Sequence, residues 1–214
     1  MYINIKKISA LGGAENAKIN VFGESEVNRL VKIKNDSRRA ESESALAALG
    51  EIIEAEPKGE FEAEISRNAN GRPCFVNDDA DLSLSHSGDL AVAAFVRSGR
   101  IGVDVELVSD KRKARAVAER FFSEKEKRLI SESSEPLIEF FKLWTRKEAL
   151  AKCRNMPLAV SMSTEILPSE FFFSSFLVLC EGEQYVLSIA CDQKIEAKIT
   201  ADKDVMIREF IYEQ

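Results

Sequence analysis

Arg100-Ile101-Gly102-Val103-Asp104-Val105-Glu106-Leu107 alternates apolar with small or acidic residues near the middle of a 214-residue chain. That is the period-two signature of a β-strand, with Asp104 and Glu106 on one face and Val103 and Val105 on the other. Reading outward from it, Leu82 to Ser85 and Leu90 to Val96 are two more closely spaced strands on the N-terminal side. Further upstream lie a first strand from Met1 to Ile8 and a helix through Ala45, Leu46, Leu49, Ile52 and Ile53 capped by Asp36-Ser37. A strand over Glu60 to Ile65 and a turn at Asn70-Gly71-Arg72-Pro73 follow that helix. Downstream the period changes to helical around Ala114 to Phe121, Glu124 to Ile130 (capped by Ser123) and Leu137 to Cys153, the last stopped by Asn155, Met156 and Pro157. Apolar or alternating stretches at Glu165 to Leu179, Tyr185 to Cys191, Lys194 to Ile199 and Val205 to Ile211 then read as strands. Two α+β halves meeting near residue 103 is the fold class this order implies, as packed lobes of one unit divided into residues 1–103 and 104–214.

Composition narrows the chemistry. With 45% apolar and 31% charged residues the chain is globular, and a single histidine excludes a zinc site built on several imidazoles. Any imidazole-based hydrolase would have to centre on His86, so proton transfer elsewhere falls to Asp, Glu, Lys, Cys or Tyr. A net charge of −6 opposes general attraction to nucleic acid. Cys74, Cys153, Cys180 and Cys191 form no CxxC pair and read as free thiols of a reducing compartment. The N-terminus lacks a signal-peptide run and no stretch approaches a membrane span, so the expectation is a soluble, cytoplasmic protein.

Three segments carry candidate chemistry. Asp104 and Glu106 offer two hard oxygen ligands suited to Mg²⁺, although a half-buried strand with a solvated acidic face has the same pattern. Trp144, Glu148 and Lys152 form an i, i+4, i+8 stripe on the long helix; Glu148 could add a third carboxylate and Lys152 neutralise a phosphate, or the two could be an ordinary helix ion pair. Leu84-Ser85-His86-Ser87-Gly88 ends a strand in a turn that presents hydroxyls, an imidazole and amides to an anion, or merely caps the turn. Arg38 and Arg39 stand at a helix start, where cations oppose the dipole and so call for another reason.

Taken in order, Gly71-Arg72-Pro73, Leu84-Ser85-His86-Ser87, Gly102-Val103-Asp104-Val105-Glu106, Arg120-Phe121-Phe122-Ser123 with Glu126, and Leu143-Trp144-Thr145-Arg146-Lys147-Glu148-Ala149-Leu150-Ala151-Lys152 resemble the 4′-phosphopantetheinyl transferase superfamily. The resemblance covers residues 71 to 152, and the size and two-lobed pattern are similar to the larger, monomeric, surfactin-activating type, a pseudo-dimer with the active site between its lobes. It implies a holo-[acyl-carrier-protein] synthase type transferase. Such an enzyme moves 4′-phosphopantetheine from coenzyme A to a serine hydroxyl of an apo acyl or peptidyl carrier protein, with Mg²⁺, releasing adenosine 3′,5′-bisphosphate. Carried over, Asp104, Glu106 and Glu148 would hold Mg²⁺; Glu148, or a metal-bound water it orients, would take the serine proton; and Lys152 would add positive charge at the pyrophosphate. Arg39, Arg72, Ser85, His86 and Lys152 would contact coenzyme A, with Arg38, Arg29 and Lys32 as looser candidates. Neither nucleic acid nor membrane is an implied partner.

After Lys152 the family often has Gly-x-Gly-Leu, whereas this chain has Cys153-Arg154-Asn155-Met156-Pro157-Leu158, a departure that bears on substrate range. The segment 110–128 is +4 in a chain of −6, a strip suited to steering an acidic carrier or simply a solvated helix face. Two other functions use the same residues: a metal-dependent hydrolase of nucleotide pyrophosphates, and a non-catalytic module binding coenzyme A or a carrier.

Overall fold

The computed structural model describes residues 1–8, 19–56, 62–109, 114–163, 171–194 and 196–210. The strand carrying Asp104 and Glu106 is β6, Ile101–Leu107, and it edges one of two four-stranded sheets. The first sheet comprises β1 (Tyr2–Lys7), β4 (Asp81–Ser87), β5 (Leu90–Val96) and β9 (Lys198–Ala201) in the order β4-β5-β1-β9; the second runs β10 (Val205–Glu209), β7 (Phe172–Cys180), β8 (Glu183–Cys191), β6. A small hairpin, β2 (Ile65–Arg67) with β3 (Pro73–Phe75), closes around the tight turn at Gly71, whose φ of 78° favours a residue without a side chain. The chain is thus α+β.

Alternation decides which faces are buried. Ile3 and Ile5 of β1, Val92 and Ala94 of β5, Val103 and Val105 of β6, and Leu187 and Ile189 of β8 form one apolar cluster between the sheets. The opposite face of the first sheet packs Phe95 and Leu82 against Leu46 and Leu49 of α2 (Asp36–Ala55), and α1 (Glu24–Val31) adds Leu30. On the second sheet, α5 (Pro136–Arg154) supplies Phe140, Phe141 and Leu143, joined by α3 (Ala114–Phe121) and α4 (Glu124–Glu132) through Ala118 and Ile130. The order strand, long helix, strand, strand therefore occurs twice, β1-α2-β4-β5 and β6-α5-β7-β8, with the same antiparallel pairings of the third element to the fourth and the fourth to the first.

Several boundaries differ from the sequence reading. The α2 cap is Asn35, whose Oδ1 accepts from Arg38 N at 2.9 Å, so Asp36 and Ser37 lie inside the helix. The strand read over Glu60 to Ile65 overlaps β2 only at Ile65, with residues 57–61 outside the described residues. The helices α1 and α6 (Leu158–Ser163) had no expectation behind them, because both are short, eight and six residues. The division drawn between residues 103 and 104 falls inside β6, and the crossing between sheets runs through residues 97–100. Returning from the second sheet, β9 pairs in parallel with β1, so the chain's last part contributes to the first sheet. By contrast, Ser123 does cap α4, in a reciprocal capping box with Glu126.

Candidate active site

Gly102 allows the site to form. A Cβ there would stand 1.9 Å from the Ala149 carbonyl oxygen and 2.6 Å from Cys153 N, so only glycine lets α5 lie directly on β6. That approach brings a carboxylate from the helix to the two on the strand. Asp104, Glu106 and Glu148 each present an oxygen, and all three lie within 4.8 Å of one another. At such spacing two like charges repel by several kcal/mol even at an effective dielectric of about 20, on the order of 3–4 kcal/mol per pair.

One cation answers part of that charge. Lys152 Nζ, one turn beyond Glu148, donates to Asp104 Oδ1 at 2.8 Å, to Ser85 Oγ at 3.0 Å and to the Val103 carbonyl at 2.9 Å. Asp104 is buried, and its second oxygen, Oδ2, has no hydrogen-bond partner among the described residues. An orphaned buried carboxylate oxygen beside two further carboxylates is the donor chemistry that a hard divalent cation satisfies. Oxygens sharing one Mg²⁺ sit about 3–4 Å apart given bonds of about 2.0–2.1 Å, so these residues fit such an ion with only side-chain adjustment.

The first sheet reaches this cluster through the residues expected to form a turn. Ser85, His86 and Ser87 belong to β4, and the turn falls later, at Gly88 with φ 55°. The strand's alternation sends Asp81, Ser83, Ser85 and Ser87 toward β6. They accept from the backbone N–H groups of Ile101, Val103, Val105 and Leu107 at 2.9, 3.0, 3.3 and 3.0 Å. Two sheet edges are thereby joined by side chains instead of a backbone ladder, which also satisfies outward N–H groups of β6. Ser85 Oγ donates onward to Asp104 Oδ1 at 2.8 Å, and Ser87 Oγ to Glu106 Oε2 at 2.9 Å.

The other expected residues fall around this joint. His86 points the opposite way from the serines, its Nδ1 3.4 Å from Glu41 Oε2 on α2. Desolvation by its neighbours holds the imidazole below its ordinary pKa of 6.5, although the side chain is still 43% exposed, with Glu41 pulling it up, Lys152 pushing it down and Asp104 pulling it up more weakly. Arg39 lies two residues from Glu41 and makes ion pairs with Asp36 at 2.8 Å and Glu43 at 3.8 Å. Arg72 is held by a bidentate pair to Asp81, both bonds 2.8 Å, and by the Leu82 and Ile101 carbonyls at 3.1 Å; what it presents to the adjoining cleft is a side chain already committed to the joint. Arg29 is engaged with buried Glu26, which Arg67 also grips, so this loose candidate serves the N-terminal packing. A cleft of about 290 Å³ lined by Arg72, Pro73, Ser83, Glu148 and Lys152 opens beside the carboxylates. Asn155 also lines it, in the left-handed region at φ 51°, ending α5 as a glycine would.

Two residues quoted only within motifs take particular roles in the structure. Lys147, adjacent to Glu148, is fully buried and pairs with Glu126 at 2.8 Å beneath the Phe122 ring, which ties the Phe121-Phe122-Ser123 segment to the long helix. Ser87 is the other, and its signal was the Ser-x-Ser-x-Ser period facing Asp-x-Glu. Of the basic strip, Lys111, Arg112 and Lys113 lie outside the described residues, while Arg115 is exposed on α3 and Lys127 pairs with Glu119 and Glu124. The four cysteines are free, and among the described residues no helix is long and apolar enough to cross a membrane.

Residues 100–201, from β6 through β9, match the family model of the 4′-phosphopantetheinyl transferase superfamily. Among curated relatives, the 4′-phosphopantetheinyl transferase AcpT of Salmonella typhimurium is 32% identical over 43% of this chain and 50% of its own length. AcpT of Escherichia coli is 28% identical over 65% of this chain and 70% of its own, and psf-1 of Bacillus pumilus, also a 4′-phosphopantetheinyl transferase, 36% identical over 49% and 43%. The matched part of the chain thus spans about half the length of the Salmonella and Bacillus proteins.

Proposed function

We propose that this protein transfers 4′-phosphopantetheine from coenzyme A to a serine hydroxyl of an apo carrier protein, with Mg²⁺, as a transferase of the larger, pseudo-dimeric type. The observation that carries the reading is the convergence of Asp104, Glu106 and Glu148 beside Lys152 at the joint of the two sheets. The twice-used strand-helix-strand-strand order supports two related lobes, read from the sequence as residues 1–103 and 104–214 and joined in the fold through residues 97–100, with the site between them.

Asp104, Glu106 and Glu148 are the residues that would hold the ion, and once bound it offsets charge on the pyrophosphate and its leaving group. Lys152 holds a fixed positive charge at the same point, oriented by Ser85 and the Val103 carbonyl. The carrier serine oxygen attacks the phosphorus that carries pantetheine, the bond to adenosine 3′,5′-bisphosphate breaks, and Glu148 takes the serine proton. His86, kept neutral at pH 7, serves nucleotide phosphate recognition by donating a hydrogen bond, with Arg39 behind it on α2 and Arg72 bordering the cleft.

Mass spectrometry of an apo carrier incubated with coenzyme A and Mg²⁺ tests this directly. One phosphopantetheine should appear on one serine, and Glu148→Gln should abolish it. Cleavage of coenzyme A without any carrier would instead make the protein a pyrophosphate hydrolase, and binding with no turnover a non-catalytic module.

A further inference from the structure

Ser87 Oγ lies 3.0 Å from Leu107 N and 2.9 Å from Glu106 Oε2. A backbone N–H can only donate and a carboxylate can only accept, so the hydroxyl takes one bond and gives the other, and its rotor is fixed. The next rung has the same construction, with Ser85 accepting from Val105 N and donating to Asp104 Oδ1. Ser83 repeats only the first half, accepting from Val103 N at 3.0 Å where β6 offers Gly102 and Val103. The ladder thus joins the sheets on every rung, and it grips a carboxylate on two of them.

From this difference between rungs we propose that Ser87 is a positioning residue for Glu106, holding its carboxylate in the orientation that converges with Asp104 and Glu148 on a divalent cation. The inference rests on the reading of those three carboxylates as a cation site. A glutamate has three rotatable bonds, and whatever freedom it keeps is lost when it ligates an ion. The Ser87 bond removes the freedom beforehand, as the partners of metal-ligating carboxylates do elsewhere, where losing such a partner weakens metal binding about 10–100-fold.

Calorimetric titration of the full chain with Mn²⁺ measures this without turnover. Ser87→Ala should weaken Mn²⁺ binding about 10-fold or more, Ser87→Thr should retain it because the hydroxyl is kept, and Ser83→Ala should lower Tm without moving Mn²⁺ affinity. In transfer assays, Ser87→Ala should raise the Mg²⁺ concentration for half-maximal rate and leave the coenzyme A KM in place. If Ser87→Ala does not fold, Ser87→Cys, which keeps volume and weakens the donor, gives the same comparison. Unchanged Mn²⁺ affinity in Ser87→Ala, with affinity lost in Glu148→Gln, overturns the role of Ser87 and leaves the cation site standing. Equal weakening by Ser83→Ala would also overturn it, since the effect would then belong to the joint as a whole. Identical isotherms for wild type and Glu148→Gln would remove the cation site and Ser87's role together.

Discussion

The units β1/α2 and β6/α5 hold the same position in the repeated strand-helix-strand-strand order, although β1 lies between β5 and β9 while β6 is an edge strand, and they fill the space between strand and helix with opposite chemistry. In each, one strand face turns isoleucine or valine toward the central core and the other faces the helix. In the first unit the helix-facing residues are Asn4 and Lys6, and they meet one carboxylate: Lys6 Nζ and Asn4 Nδ2 each donate to Glu51 at 2.8 Å, while Asn4 also bonds the Ala48 carbonyl at 3.2 Å. Asn4, Lys6 and Glu51 together carry no net charge. In the second the strand brings Asp104 and Glu106, the helix brings Glu148, and Lys152 is bonded to Asp104. A strand-helix junction of this geometry is therefore stable without a ligand when it contains its own counter-ion. Where carboxylates outnumber cations, it is a site that gains stability from a bound one.

The comparison breaks or sharpens on a few substitutions. Glu106→Lys would give the second unit the internal cation that Lys6 supplies in the first. It should hold or raise Tm, abolish Mn²⁺ binding and lower transfer by about 10³-fold or more, and metal-dependent transfer that survives it would break the contrast. Gly102→Ala should push α5 off β6, costing about 3 kcal/mol of stability in denaturant unfolding and lowering kcat more than it raises KM. A fold and rate unchanged in that variant would mean that the close approach does not set the site. Lys6→Met removes the first unit's cation and should cost about 1–2 kcal/mol, since Glu51 is partly solvated, with kcat unchanged.

The smallest effect concerns His86. The folded protein resists a proton that the unfolded chain accepts at its ordinary pKa of 6.5. Its contribution to stability is therefore intact above that value and declines as pH falls below it. Nuclear magnetic resonance of the only imidazole should show a midpoint below 6.5 in the free protein, moving up when coenzyme A brings a phosphate. A midpoint at or above the ordinary value without ligand would show that desolvation does not dominate there.

Much of this was legible in the residues. The strands at β5 and β6, the helices at α3 and α5, and the Ser123 cap follow from period and capping signals, which act over a few neighbouring residues. The pattern Asp-x-Glu placed two carboxylates on one face, and helical spacing put Glu148 and Lys152 on one stripe. What spacing could not supply was the distance between strand and helix, which depends on Gly102 meeting the α5 backbone. Nor could it show that Ser85 faces a carboxylate across a sheet joint, because the strand was read as ending two residues early and its serines as a turn. Arg72 shows the same gap: its motif suggested a ligand contact, and only the fold reveals Asp81 holding it in a bidentate grip.

By itself, then, the sequence determined the inventory: a single imidazole, an acidic strand face, a helix carrying Glu148 and Lys152, and an order of motifs similar to one transferase superfamily. These are properties of residue type and local period, and they hold whatever the rest of the chain does. Tertiary structure decided which charges are answered internally and which are left for a partner. That depends on two sheet edges meeting through β4 side chains and on a helix lying within backbone contact of a glycine, between residues far apart in the chain.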